Sequence, residues 1–125
     1  MCTSLIVRCS REDAARIRKE ASSGHRSLSG YLLYVLERTF YIEDRVPPLA
    51  LARQAQLMGA HRYQNPRTAI QLCCTVEQAA RIRQYAARRE LSISAFVVFS
   101  LRRVWKAYDH LREGSAPKAL PKHIV

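Results

Sequence analysis

The chain contains one segment twice, and this duplication limits the folds open to it. Residues 3–41 align with residues 68–106 at a constant offset of 65 and without a gap. Thirteen of the 39 aligned positions are identical in the two copies, and in the first copy they are Thr3, Cys9, Glu12, Ala14, Ala15, Arg16, Ile17, Arg18, Ala21, Ser27, Ser29, Leu36 and Arg38. A unit of about forty residues is too small to bury its own apolar side chains. We therefore expect the two copies to complete one core together.

Each copy opens with a short stretch in which apolar and polar side chains alternate. The set predicted to face a core is Leu5, Val7, Cys9, Ile70, Leu72 and Cys74. The set predicted to face outward is Ser4, Ile6, Arg8, Ala69, Gln71 and Cys73. This period of two predicts one half-buried strand per copy. Because a lone strand is unstable, we expect the two strands to pair as an antiparallel ribbon.

Two helices follow each predicted strand. Ser10 and Thr75 are good N-cap residues for the first helix, and Gly24 suits a left-handed cap at its end in the first copy. The expected buried stripe of this helix recurs in both copies, as Ala14, Ile17 and Ala21 and as Ala79, Ile82 and Ala86. A second helix opens at Ser27-Leu28-Ser29 and at Ser92-Ile93-Ser94 and is apolar on more than one side. Such a helix must be enclosed by several neighbours.

The predicted fold class is therefore mainly α, with one two-stranded antiparallel β-ribbon. We expect a single domain over residues 1–112, built from a first unit at 3–44 and a second unit at 68–111. Residues 45–67 form the predicted linker, in which Pro47-Pro48 ends the preceding helix and residues 49–58 form a short helix. Residues 113–125 are predicted to be a flexible basic tail.

The charge balance favours an anionic partner. The chain has 21 Lys and Arg against 10 Asp and Glu, a net charge of +11, and 17 of the 21 cations are Arg. Arginine binds phosphate oxygens and guanine edges with a planar fork, which favours nucleic acid. An acidic membrane surface or an acidic protein would use the same excess.

Other classes of function find little support in the sequence. The chain has no apolar run long enough to cross a bilayer and no signal-peptide pattern. Its four cysteines lack paired spacing, which predicts reduced thiols and a cytoplasmic, nucleoid-associated protein. No metal-ligand spacing, carboxylate pair, nucleophile–base arrangement or Gly-rich phosphate loop stands out. We therefore predict no cofactor, no metal and no enzymatic activity.

The alternating strand Leu5-x-Val7-x-Cys9-Ser10, the helix that follows it and the Ser27-x-Ser29 opening of the second helix resemble the ribbon-helix-helix (Arc/MetJ/CopG-like) DNA-binding family. Members usually carry one unit per chain and act as homodimers. Two units in one chain resemble the tandem, pseudo-dimeric members of the TraY kind, among relaxosome accessory proteins. The resemblance implies that one chain suffices for a complete DNA-binding unit and that several chains can associate side by side on DNA.

The resemblance also implies a binding site. The ribbon would enter the major groove of double-stranded DNA and read base edges with Ser4, Ile6, Arg8, Ala69, Gln71 and Cys73. Phosphates would be bound at the start of the second helices by Ser27, Leu28, Ser29, Ser92, Ile93 and Ser94. Arg67, with Arg45, Arg53 and Arg62, would contact the DNA backbone from the linker. The two strands share no outward residue, which predicts an asymmetric target.

Three functions remain open at this point. The first is sequence-selective DNA binding as a transcriptional repressor. The second is an accessory role in DNA mobilisation, by binding near a transfer origin, which the single-chain duplication favours. The third is a protein-interaction module that keeps the scaffold without reading DNA, which the few strong hydrogen-bonding groups of the second strand favour.

Overall fold

A computed structural model describes residues 1–45 and 68–114. These residues form, in chain order, strand β1 (Cys2–Cys9), helices α1 (Arg11–Ser23) and α2 (Leu28–Glu43), strand β2 (Thr68–Thr75) and helices α3 (Val76–Arg88) and α4 (Ile93–Gly114). β1 and β2 pair antiparallel in a two-stranded sheet. The predicted class, mainly helical with one antiparallel ribbon, is confirmed.

The ribbon has a register that sets equivalent residues of the two copies against each other at its centre. Cys2 lies opposite Thr75, Cys9 lies opposite Thr68, and Ile6 lies opposite its equivalent, Gln71. The predicted alternation is confirmed, because all six inward residues are buried and all six outward residues are exposed. A slip of one residue would reverse the two faces, so burial of the apolar set fixes the register.

The first helix of each copy begins at a cap that the sequence predicts. The Ser10 hydroxyl accepts a hydrogen bond from the Asp13 N–H at 3.0 Å. Thr75 forms a full capping box with Gln78, in which the Thr75 hydroxyl accepts from the Gln78 N–H at 3.0 Å and the Gln78 side chain accepts from the Thr75 N–H at 2.8 Å. The predicted stripe of alanine and isoleucine on both helices is buried.

The core lies between the ribbon and the helices, and α2 and α4 supply most of its large side chains. Phe40 and Phe96 stack with ring centroids 6.4 Å apart. At the equivalent positions, with the two copies exchanged, the Trp105 indole N–H donates to the Tyr31 hydroxyl at 2.8 Å. Each pair joins a residue of α2 to one of α4, so the second helices enclose each other. Burial of side chains of this size stabilises the fold by about 1.5–3 kcal/mol each.

The end of the first helix differs from the prediction. Gly24 has φ −92° and is not left-handed, whereas His25 has φ 55° and its equivalent in the second copy, Glu90, has φ 57°. Both ends are Schellman motifs, in which the Arg26 N–H donates to the Ala21 carbonyl and the Leu91 N–H donates to the Ala86 carbonyl. The left-handed position is therefore one residue beyond Gly24, because it must precede the residue that makes this long-range bond.

Helix α4 is the last described element and ends at Gly114. The predicted linker from residue 46 onward, with its short helix, and the tail from residue 115 onward lie outside the described residues.

Candidate nucleic-acid interface

The outer face of the ribbon gathers the six side chains predicted to read base edges. Ile6, half of its surface exposed (50%), lies opposite Gln71 at the centre of the ribbon. To one side of this pair Arg8 lies opposite Ala69, and to the other side Ser4 lies opposite Cys73. The face is exposed along its whole length.

Charge is distributed unevenly along this face. Arg8 places a guanidinium at one end, whereas its equivalent in the second copy, Cys73, places an exposed thiol at the other. Beneath the face, burial raises the pKa of the Cys9 and Cys74 thiols above the ordinary value. These inner thiols are therefore neutral and pack as small apolar side chains. Only the Arg8 end of the six-residue face carries a charge.

Two serines of the second helices fix these helices beside the ribbon. The Ser29 hydroxyl accepts from the Cys73 N–H at 2.8 Å and donates to the Gln71 carbonyl at 3.5 Å. The equivalent Ser94 hydroxyl accepts from the Arg8 N–H at 2.9 Å and donates to the Ile6 carbonyl at 3.3 Å. Each serine thus bridges to the strand of the other copy and satisfies the outer edge of that strand. The sequence did not predict this role for the two hydroxyls.

The start of each second helix supplies backbone N–H groups beside the ribbon. Ser27 caps α2 by accepting from the Gly30 N–H at 3.0 Å, and Ser92 accepts from the Ala95 N–H at 3.1 Å. The first N–H groups of a helix have no intrahelical acceptor, and the helix dipole makes this end positive. The residues predicted to bind phosphate lie here, with Ser27 and Ser92 exposed and the others half-buried: Leu28, Ser29, Ile93 and Ser94. Arg67 lies outside the described residues.

A buried ion cluster that the sequence did not reveal joins the two copies below the ribbon. The Glu43 carboxylate at the end of α2 is 1% exposed and accepts two hydrogen bonds from Arg89, which is fully buried. Arg103 of α4 approaches the same carboxylate at 3.8 Å. In the sequence, the only indication of this cluster is a carboxylate at the end of an apolar helix. Carboxylates are also common at exposed helix ends, so the residue did not stand out.

A second ion pair fixes α1 to α4. The Arg16 guanidinium donates to both carboxylate oxygens of Asp109, at 3.1 and 2.8 Å, and stacks over the Trp105 ring at 4.9 Å. This hydrogen-bonded pairing raises the pKa of Arg16 and lowers that of Asp109. Arg16 is therefore held in an ion pair with a second helix and does not simply extend into solvent.

Among the described residues, no helix is both long and apolar enough to cross a membrane. Comparison of the chain with protein-family models, curated proteins and solved structures gives no match in any of the three.

Proposed function

We propose that this protein binds double-stranded DNA through its β-ribbon, as a tandem ribbon-helix-helix protein in which one chain forms an intramolecular pseudo-dimer. The observation that carries the proposal is the exposed ribbon face with a helix N-terminus tied to each outer edge by Ser29 and Ser94. The central pairing of Ile6 with Gln71, which are equivalent residues of the two copies, supports a pseudo-twofold axis through the ribbon.

The dimensions of the ribbon suit the major groove. Two strands about 4.8 Å apart fit within a groove about 12 Å wide. Alternate side chains on a strand are about 6.6 Å apart, close to the rise of two base pairs. In this geometry Arg8 donates to guanine O6 and N7, Gln71 pairs with adenine, and Ile6 contacts a thymine methyl group. The N–H groups at the start of α2 and α4 flank the groove and bind phosphates.

The asymmetry of the face predicts a target without twofold symmetry. Reversal of the DNA exchanges the bases under Arg8 for those under Cys73, and only the former residue is a strong guanine reader. Selection of bound duplexes from a random pool tests this directly. We expect a short, non-palindromic site with guanine at one end, whereas enrichment of palindromes would contradict the assignment.

Replacement of Arg8 by alanine separates base reading from general attraction. Loss of a bidentate guanine contact costs about 1–3 kcal/mol, or about 5- to 150-fold in affinity for the selected site, with little change for random duplex. The matched control is Arg83→Ala, which removes the same charge from an exposed position on α3. It should leave the ratio of specific to random binding unchanged. Equal losses on both duplexes with Arg8→Ala would exclude Arg8 from base reading.

Within this proposal the role is that of a transcriptional repressor, because a ribbon that fills the major groove excludes other proteins from the site. Much of the affinity should come from Arg–phosphate contacts, so binding should weaken steeply with salt. A gel-shift titration at low and high salt measures this dependence. Absence of binding to any duplex at low salt would refute the proposal and favour a protein-interaction role for the same face.

A further inference from the structure

Two aromatic rings at positions related by the duplication each carry a stack of two arginines. In the second copy Arg89 and Arg103 lie over the Phe99 ring, with guanidinium carbons 4.2 and 5.4 Å from its centroid. In the first copy Arg26 and Arg38 lie over the Tyr34 ring, at 4.2 and 4.9 Å. Tyr34 and Arg38 are the first-copy equivalents of Phe99 and Arg103.

Arg26 reaches the first stack from a position that is not equivalent to that of Arg89. The first-copy equivalent of Arg89 is Gly24, which has no side chain to offer. Arg26 fills the space instead, since its Nη1 lies 2.6 Å from where a Cβ on Gly24 would stand. Both stacks thus place two guanidinium groups on one ring, although only one arginine occupies an equivalent position.

The two stacks differ in their carboxylate. Glu43 closes the second stack, since it binds Arg89 with both oxygens and lies 3.8 Å from Arg103. The same offset applied to Glu43 leads to Tyr108, which lies at the first stack. Burial, together with its interaction with the Tyr34 hydroxyl, raises the pKa of Tyr108, so this residue is neutral at physiological pH. Among the described residues, no carboxylate lies within ion-pair distance of Arg26 or Arg38.

The first stack opens onto a groove on the outer side of α2. The groove has a volume of about 450 Å³ and is lined by Tyr34, Glu37, Arg38, Tyr41 and Ile42. Its single carboxylate, Glu37, faces Arg81 at 3.4 Å. Tyr41 and Ile42 are exposed. The groove therefore combines the guanidinium of Arg38, which has no ion pair among the described residues, with apolar surface.

We propose that Arg26 and Arg38 bind a carboxylate from an acidic segment of a partner protein, which supplies from outside the negative charge that Glu43 supplies at the other stack. Charge complementarity and the glutamate present at the related site favour a carboxylate. The exposed Tyr41 and Ile42 favour a peptide with apolar side chains beside its acidic ones. Arg38 lies about two and a half turns along α2 from Ser29, a rise of about 13 Å, whereas Arg26 directly precedes the cap residue Ser27. A duplex competitor is therefore part of the test.

The site does not depend on DNA binding, and it can be tested on the full chain. The probe is a short fluorescein-labelled peptide of alternating glutamate and leucine, and its binding is followed by fluorescence anisotropy. We expect Arg38→Gln to weaken binding about tenfold, which corresponds to loss of one charge-assisted hydrogen bond. Arg83→Gln, which removes the same charge elsewhere, should change the affinity less than about twofold. A peptide with glutamine in place of glutamate should bind no better to the wild type than to Arg38→Gln.

Tyr108→Glu provides a second, independent test. This substitution supplies an internal carboxylate at the equivalent of Glu43, so it should block the peptide as strongly as Arg38→Gln does. Circular dichroism establishes whether each variant is folded. If Tyr108→Glu does not fold, the result with Arg38→Gln decides the test. Equal loss with Arg38→Gln and Arg83→Gln would overturn the proposal. So would displacement of the peptide by random duplex together with weaker duplex binding by Arg38→Gln, since the groove would then be a DNA contact.

Discussion

Replacement of Glu43 by glutamine should lower the free energy of unfolding strongly while leaving the volume of the side chain unchanged. Its carboxylate is 1% exposed and accepts two hydrogen bonds from the fully buried Arg89, with Arg103 at 3.8 Å. Glu43→Gln keeps the volume of the side chain and one acceptor oxygen. It removes the negative charge, so the buried Arg89 and the half-buried Arg103 lose the carboxylate that faces both of them.

The expected loss follows from the burial of the pair. Removal of one partner from a buried ion pair costs about 3–5 kcal/mol, because the remaining charge stays desolvated. We expect the lower end of this range for Glu43→Gln, since one hydrogen bond to the amide oxygen survives. A loss of about 3 kcal/mol is a large part of the roughly 5–15 kcal/mol that stabilises a typical domain. The effect should therefore be visible in any equilibrium measurement of unfolding.

Urea denaturation followed by circular dichroism gives the free energy of unfolding of wild type and variant. We expect the midpoint of Glu43→Gln to fall by about 1–3 M, with the slope unchanged. The control is Glu37→Gln at the exposed pair with Arg81, whose side chains are 46% and 52% exposed, and it should cost at most about 1 kcal/mol. A loss below about 1 kcal/mol with Glu43→Gln, or equal losses for the two variants, would refute the reasoning.

Three further outcomes follow from local geometry. Ser29→Ala and Ser94→Ala should each lower the free energy of unfolding, measured by urea denaturation, by about 1 kcal/mol. The losses should add in the double variant because the sites are separate. An unchanged free energy of unfolding in the double variant would show that these hydroxyls do not stabilise the fold. Glu90→Gly should raise the free energy of unfolding by about 0.5–1 kcal/mol, since relief of a left-handed non-glycine residue exceeds the added entropy of the unfolded chain; a lower thermal midpoint would contradict this. Arg16 lowers the folded-state pKa of Asp109. The ion pair therefore stabilises the fold at neutral pH, and this stabilisation is lost as the pH falls through the folded-state pKa of Asp109. Asp109→Asn should therefore differ from wild type in unfolding at neutral pH and converge with it in acid, and a constant difference across pH would argue against the ion pair.

The local structure of this chain follows from its sequence because it depends on short-range pattern. Alternation around Val7 predicted both faces of the ribbon, and Ser10 and Thr75 predicted the starts of the first helices. The second helices are apolar on several sides, which required each copy to enclose the other. The prediction failed by one residue at Gly24, since the Schellman bond and not the presence of glycine selects the left-handed position.

Only the tertiary structure decided the contacts between residues far apart in the chain. The duplication says which positions correspond, but it does not give the register that brings Ile6 opposite Gln71. Nor does it show that Ser29 and Ser94 bond to the strand of the other copy, or that Glu43 is buried with Arg89. Such pairings depend on how two amphipathic units fit together in space, and periodicity along one unit carries no information about which polar group meets which across that contact.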